Sequence, residues 1–128
     1  MLKNLIILIC FAVLVSGCSK KDKKEIIASP IDEREEVQKI YNEAVIALKK
    51  GDAYFASKKF KEAEGFYPSS DWAAKAALMS AFALYSANFY SDSIFNLERY
   101  IKQYPSDKNI SYAHYLIGIC YYEQILDE

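Results

Sequence analysis

An all-helical fold follows from three observations on this 128-residue chain. From Val37 onward no stretch alternates apolar and polar residues over the length of a strand. Apolar residues instead recur at spacings of three and four, which gathers them on one face of a helix with 3.6 residues per turn. The segment KFKEAEGFYP, Lys59 to Pro68, is echoed by NLERYIKQYP, Asn96 to Pro105, at an offset of 37 residues. A unit recurring at that interval is a helical hairpin that buries its apolar side against the next copy. The expected architecture is all-α, a helical hairpin solenoid of about two and a half repeats.

The elements follow in order. Lys3 precedes an uninterrupted apolar run of eleven residues, Leu5 to Val15, that ends at small residues. Crossing about 30 Å of hydrocarbon takes about 20 apolar residues, so this run reads as a secretory signal and not as a span. Val15-Ser16-Gly17-Cys18 resembles the bacterial lipobox, in which the cysteine is acylated and the signal is cut away in front of it. Residues 1–17 are therefore expected to leave as a lipoprotein signal peptide. Cys18 is the expected lipidation site, carrying several acyl chains for firm attachment, and no other cofactor is expected. Ser19 stands where an aspartate retains many lipoproteins at the inner membrane. The expected location is the periplasmic face of the cell outer membrane, lipid-anchored.

Residues 18–31 are polar and lack aromatics, so they read as the lipidated cysteine and a flexible tether. Lys20, Lys21, Lys23 and Lys24 are solvated charge beside an anchor. The repeat domain is expected over residues 32–128. Asp32 and Glu35 are compatible with a capping pair, and Val37, Ile40, Tyr41, Ala44, Val45 and Leu48 then keep helical spacing up to Gly51. Phe55 to Phe66, Trp72 to Ala87, Ile94 to Tyr104 and Tyr112 to Leu126 are the four helices that follow.

Sixteen basic residues nearly balance 17 acidic ones, so no general field for nucleic acid is present. Removing residues 1–17 leaves 111, enough for one small domain. Cys10 leaves with the signal and Cys18 is acylated, so Cys120 is left without a disulfide partner and packing must supply the stability. A single histidine, no metal-ligand motif, no Gly-rich phosphate loop and no nucleophile elbow give catalysis no support. His114 falls at a packing position of its helix, and Cys120 sits among apolar neighbours that keep a thiol inert.

With the 37-residue offset Gly51 matches Asn88, Ala56 matches Ser93, Phe60 matches Leu97, and Ile40, Ala77 and His114 share a register. Gly51, Ala56, Phe60, Ala63 and Pro68 have the spacing of the second half of the tetratricopeptide pattern. His114, Ile117, Gly118 and Tyr121 occupy the positions of its first half. Small residues such as Ala56, Ala63, Ala81 and Gly118 are expected to let helices approach closely, while Phe60, Leu84, Leu97 and Tyr121 fill the space between layers. Gly51 and Asn88 suit the left-handed conformation that closes a helix. The pattern is imperfect: Glu43 replaces a leucine, and Tyr100 stands where alanine is usual, which is expected to loosen the packing or alter the superhelix.

The first helix of each hairpin lines the concave face of such stacks, where extended peptides or partner helices bind. In register those positions are Gln38, Tyr41, Val45 and Leu48, then Lys75, Leu78, Phe82 and Tyr85, then Tyr112, Tyr115, Ile119 and Tyr122. Tyrosine offers a rigid apolar body with a hydroxyl that stays wet, which suits a groove that must remain soluble when empty. Tyr41, Phe82, Tyr85, Tyr115 and Tyr122 are the candidate contacts, although each single ring fits a core position equally well.

The lipobox, the short tether, the repeats ending in Tyr-Pro, RYIKQYP at Arg99 to Pro105 and the Asn-Ile-x-Tyr-x-x-Tyr-x-x-Gly run from Asn109 to Gly118 together resemble the BamD (ComL) family. The resemblance covers nearly the whole mature chain. It implies a non-enzymatic outer-membrane assembly factor that works with BamA and other BAM-complex subunits to recognise, fold and insert β-barrel precursors. It further implies substrate recognition by the amino-terminal repeats and docking on BamA by the carboxy-terminal ones. Carried over by position, Tyr67 beside Pro68 becomes the first candidate for contacting an extended segment, with Tyr104 its equivalent in the second unit. Family members carry further repeats, so a chain ending at Glu128 is expected to be truncated. The competing expectation is another tetratricopeptide lipoprotein that scaffolds envelope or cell-wall machinery.

Overall fold

A computed structural model describes residues 30–68 and 70–126. The signal peptide, Cys18 and nearly all of the tether lie outside the described residues. Those described form five helices and no strand: α1 Pro30–Lys49, α2 Ala53–Phe66, α3 Asp71–Ser86, α4 Tyr90–Gln103 and α5 Ile110–Leu126. The first begins at Pro30, ahead of Asp32, because proline's fixed φ suits the opening position of a helix. Each helix packs on the next in sequence, and α1 also touches α3. The hairpins α1/α2 and α3/α4 are thus stacked, with α5 as the first helix of a third unit.

The 37-residue repeat is visible in individual hydrogen bonds. Gly51 and Asn88 both take a positive φ, 85° and 63°. Gly51 N donates to the Leu48 carbonyl and Asp52 N to that of Ala47; Asn88 N donates to Tyr85 and Phe89 N to Leu84. These pairs form the same Schellman closure twice. Past it, the Asp52 carboxylate caps α2 by accepting from Phe55 N at 3.2 Å. A Cβ at Gly51 would touch nothing within 4 Å, so a substitution there is opposed by φ alone. Gly51→Ala is expected to cost about 1 kcal/mol while Asn88→Gly is neutral or slightly stabilising, read from paired thermal melts.

The two Tyr-Pro pairs close the second helix of each hairpin. Tyr67 and Tyr104 leave helical geometry at φ −140° and −124°, as a residue before proline must.

Two cores share α3. Ile40, Tyr41, Ala44, Phe60 and Ala63 meet Ala76 and Ala83 on one side of it. Leu97, Tyr100, Ala113 and Leu116 meet Ala74, Ala77, Leu78 and Ala81 on the other. Being buried on both sides explains why α3 is so rich in alanine. Ala56, Ala63 and Ala81 are wholly buried, as a close approach requires, and Phe60 and Leu97 fill the layers. A polar seam crosses this core: Ser80 Oγ donates to the Ser57 carbonyl at 3.1 Å and lies 2.9 Å from Ser57 Oγ, and Ser93 Oγ donates to the Ala81 carbonyl at 2.9 Å.

Three expectations are corrected. His114, Gly118 and Tyr121 were assigned to packing positions but are exposed on α5. Their counterparts one repeat earlier, Ala77, Ala81 and Leu84, are buried by α4, and among the described residues no helix covers α5 in that way. Tyr100 does not loosen the core: its ring is fully buried, and its hydroxyl escapes to Asp107 Oδ1 at 2.7 Å. Glu43 stays exposed and pairs with Lys59 at 3.5 Å, so the missing leucine leaves no hole.

An aromatic face and a cleft at the Tyr-Pro turns

The candidate face is carried by α1, α3 and α5. Tyr41 is corrected from groove to core: it is 7% exposed, and its ring meets Phe60 at 5.0 Å and Trp72 at 5.2 Å, both edge-on. Leu78, at the equivalent position of the second unit, is buried too. Exposure then rises along the stack. Phe82 and Tyr85 are half-buried with rings 6.2 Å apart, and Tyr85 lies 6.1 Å from Tyr90. Tyr115 and Tyr122 are exposed, and Tyr112 joins Tyr115 at 6.3 Å. Burial raises the phenol of Tyr112, with Tyr85 and Tyr115 adding to the shift.

Tyr67 and Tyr104 prove unlike each other. Tyr67 is half-buried, and its carbonyl accepts from both the hydroxyl and the amide of Ser70, at 2.7 and 3.1 Å, which fixes the α2–α3 turn. The Tyr104 hydroxyl is already engaged, donating to Glu64 Oε1 at 3.1 Å and accepting from Gln103 Nε2 at 3.2 Å. Burial first, and the Glu64 carboxylate second, push its phenol up to about 12. Tyr104 therefore belongs to a bridge between repeats, in which Arg99 holds Glu64 through two bonds of 2.6 and 2.7 Å.

Between the two Tyr-Pro turns lies an open cleft of about 940 Å³, lined by Pro68, Trp72 and Lys75 on one side and by Tyr104, Pro105 and Lys108 on the other. The Lys75 ammonium stands 4.8 Å from the ring centres of both Tyr41 and Trp72. The rings hold the cation, and since Lys75 makes no ion pair among the described residues its charge is available for a carboxylate. Neither Trp72 nor Lys108 was singled out from sequence; the signal was the chain's one tryptophan next to a Tyr-Pro turn. Cys120 is fully buried and burial pushes its thiol up, away from reactivity. Among the described residues no group of side chains could hold a metal ion, and no helix is long and apolar enough to cross a membrane.

The model of the YfiO family, described as an outer membrane lipoprotein, matches residues 33–128. The chain belongs to this family. The match spans all five helices except the first residues of α1 and contains every candidate contact named above, while Cys18 falls outside it. Among curated relatives, an outer membrane protein assembly factor BamD of Caulobacter vibrioides is 35% identical over 116 residues, 91% of this chain and 37% of the relative. The protein of the same name in Rickettsia prowazekii is 31% identical over 98% of the chain and 47% of its own length. That of Xylella fastidiosa is 30% identical over 90% and 38%. The chain spans about two fifths of the length of these relatives. No solved structure matches it. Family and relatives together point to the outer membrane.

Proposed function

We propose that the chain acts in the assembly of outer membrane proteins, as a non-catalytic lipoprotein scaffold of the BAM complex that recognises unfolded β-barrel segments. Family membership over residues 33–128, shared with relatives named as assembly factors, carries this reading. The periplasmic side, the acyl anchor on Cys18 and the partnership with BamA are parts of the same proposal, resting on the lipobox and on the resemblance.

In this reading an extended barrel segment lies along the α1–α3–α5 face. Its aromatic side chains pack on Phe82, Tyr85, Tyr115 and Tyr122, while Lys75 and Lys108 receive carboxylates at the cleft. The half-buried rings lose little freedom on binding, because two χ angles already held by neighbours have little left to order. Pro68, the residue after Tyr67, lines this cleft, which supports Tyr67 as a contact at its edge.

Two measurements test the proposal. Tagging the chromosomal copy and identifying what co-purifies from detergent-solubilised outer membranes is expected to recover BamA; recovery of cell-wall proteins without BamA would replace the assembly reading with the scaffold alternative. Tyr85→Ala and Tyr67→Ala are each expected to weaken binding of an unfolded barrel peptide about five- to thirtyfold, an aromatic contact's worth of 1–2 kcal/mol, with the helical spectrum intact. Unchanged affinity removes that residue from the site.

A further inference from the structure

On the other side of the stack, α2 and α4 run side by side with a furrow between them, and its properties are not accounted for by the assembly reading. Two cavities of about 350 and 420 Å³ open along it and share Lys61 and Asn96. Tyr54 and Lys58 line the first, Phe95 and Gly65 the second, and Leu84 of α3 lies beneath. Each flanking helix has 14 residues, so the furrow is about 20 Å long, the span of about six residues of extended chain.

Asn96 is 3% exposed. Its Nδ2 donates to the Asp92 carbonyl at 2.6 Å, which fixes the orientation of the carboxamide, and its buried Oδ1 has no hydrogen-bond partner. A buried acceptor left unpaired is costly, and flipping the amide would set oxygen against the Asp92 carbonyl. Around this orphan the surface is apolar and exposed: Phe95 is 68% exposed, Tyr54 56%, and Phe89 stacks near Tyr54 at 6.1 Å. The charges are equally particular. Glu64 and Arg99 are spent on each other, Lys58 lies over the Tyr54 ring at 4.8 Å, and Asp92 occupies the Tyr54 end. Lys61, at the junction of both cavities, makes no ion pair among the described residues.

We infer that the α2–α4 furrow is a second docking groove, which takes an extended polypeptide segment carrying a carboxylate for Lys61 and an apolar side chain for Phe95. A lipid surface is too flat to enter a furrow between two helices. A cation midway along about 20 Å of furrow, between exposed rings, complements a chain that carries an acidic and an apolar side chain a few residues apart.

The test uses the full chain purified in detergent and a library of random dodecapeptides displayed on phage. Enriched peptides are expected to pair Asp or Glu with Leu or Phe. The strongest, labelled and followed by fluorescence anisotropy, is expected to lose about tenfold or more in affinity with Lys61→Glu and with Phe95→Ser, and to change less than about twofold with Tyr85→Ala. Thermal midpoints separate function from packing: both furrow variants are expected to melt close to the parent chain, since Lys61 and Phe95 are exposed. A midpoint lowered in both variants would assign the lost affinity to packing and overturn the docking role. The inference is also overturned by a failure to enrich, by peptides without carboxylates, by binding that only Tyr85→Ala weakens, or by a concentration-dependent dimer that Phe95→Ser disperses. Loss through Tyr85 alone would still leave the assembly reading standing.

Discussion

Arg99→Met is expected to lower the thermal midpoint by on the order of 10–20 °C. Glu64 is 7% exposed, and its carboxylate is held by both terminal guanidinium nitrogens, with Tyr104 as its remaining donor. Removing the guanidinium strands a buried negative charge, a change that costs about 3–5 kcal/mol. Because the Arg99 side chain is itself a third exposed, solvent can reach the gap, and the lower end of that range applies. At about 4–8 °C per kcal/mol for a domain of this size, the shift follows. The double variant Glu64→Leu with Arg99→Met is expected to regain most of it, since apolar replacement of both partners removes the stranded charge. A loss below about 1 kcal/mol for the single variant would show that the bridge behaves as an exposed pair and contributes little. The bridge ties α2 to α4 where those helices make few other contacts, so its loss is also expected to loosen one repeat on the next.

What the residues disclosed in advance, and what they concealed, divides along a physical line. Local rules acted within a few residues: Gly51 and Asn88 had to end helices, Pro68 and Pro105 had to stop them, and spacings of three and four had to be amphipathic helices. All of this was legible. The burial of a given ring depends on which neighbour arrives from another helix. Tyr41 and Tyr115 occupy the same register, yet Phe60 and Trp72 close over the first, while the second stays exposed. His114 and Gly118 were misplaced for the same reason, since their register predicts burial only where a second helix of the hairpin covers them. The Arg99–Glu64–Tyr104 bridge joins residues 35 and 40 apart in sequence, and no single-sequence pattern reports such a pairing. RYIKQYP held two of its three members in view as a family resemblance, without its structural purpose.

Tyr100→Ala is expected to be the most damaging single change, costing about 3–5 kcal/mol. Tyr100 is among the largest fully buried side chains, and it takes the place where the first repeat has only Ala63. Truncation would open a cavity among Leu97, Leu116 and Ala113, and three helices cannot all collapse inward to refill it. Tyr100→Phe isolates the hydroxyl. It keeps the ring but leaves Asp107 without its 2.7 Å donor, at a cost of about 1–2 kcal/mol. That smaller loss carries a pH signature. The Tyr100 hydroxyl first, then the Asn109 amides and Lys108, hold the Asp107 carboxyl below the usual carboxylate range. A carboxyl depressed in the folded state adds stability that is fully present above its unfolded value of about 3.9 and is lost as pH falls through the folded value. Melts of the parent chain and Tyr100→Phe are therefore expected to differ most above about pH 4 and to converge in stronger acid. A gap that stays constant through that range would assign the cost to packing and leave Asp107 out of the account. Convergence would show that the bulky residue in the alanine position is tolerated because its one polar atom is handed to the loop that launches α5.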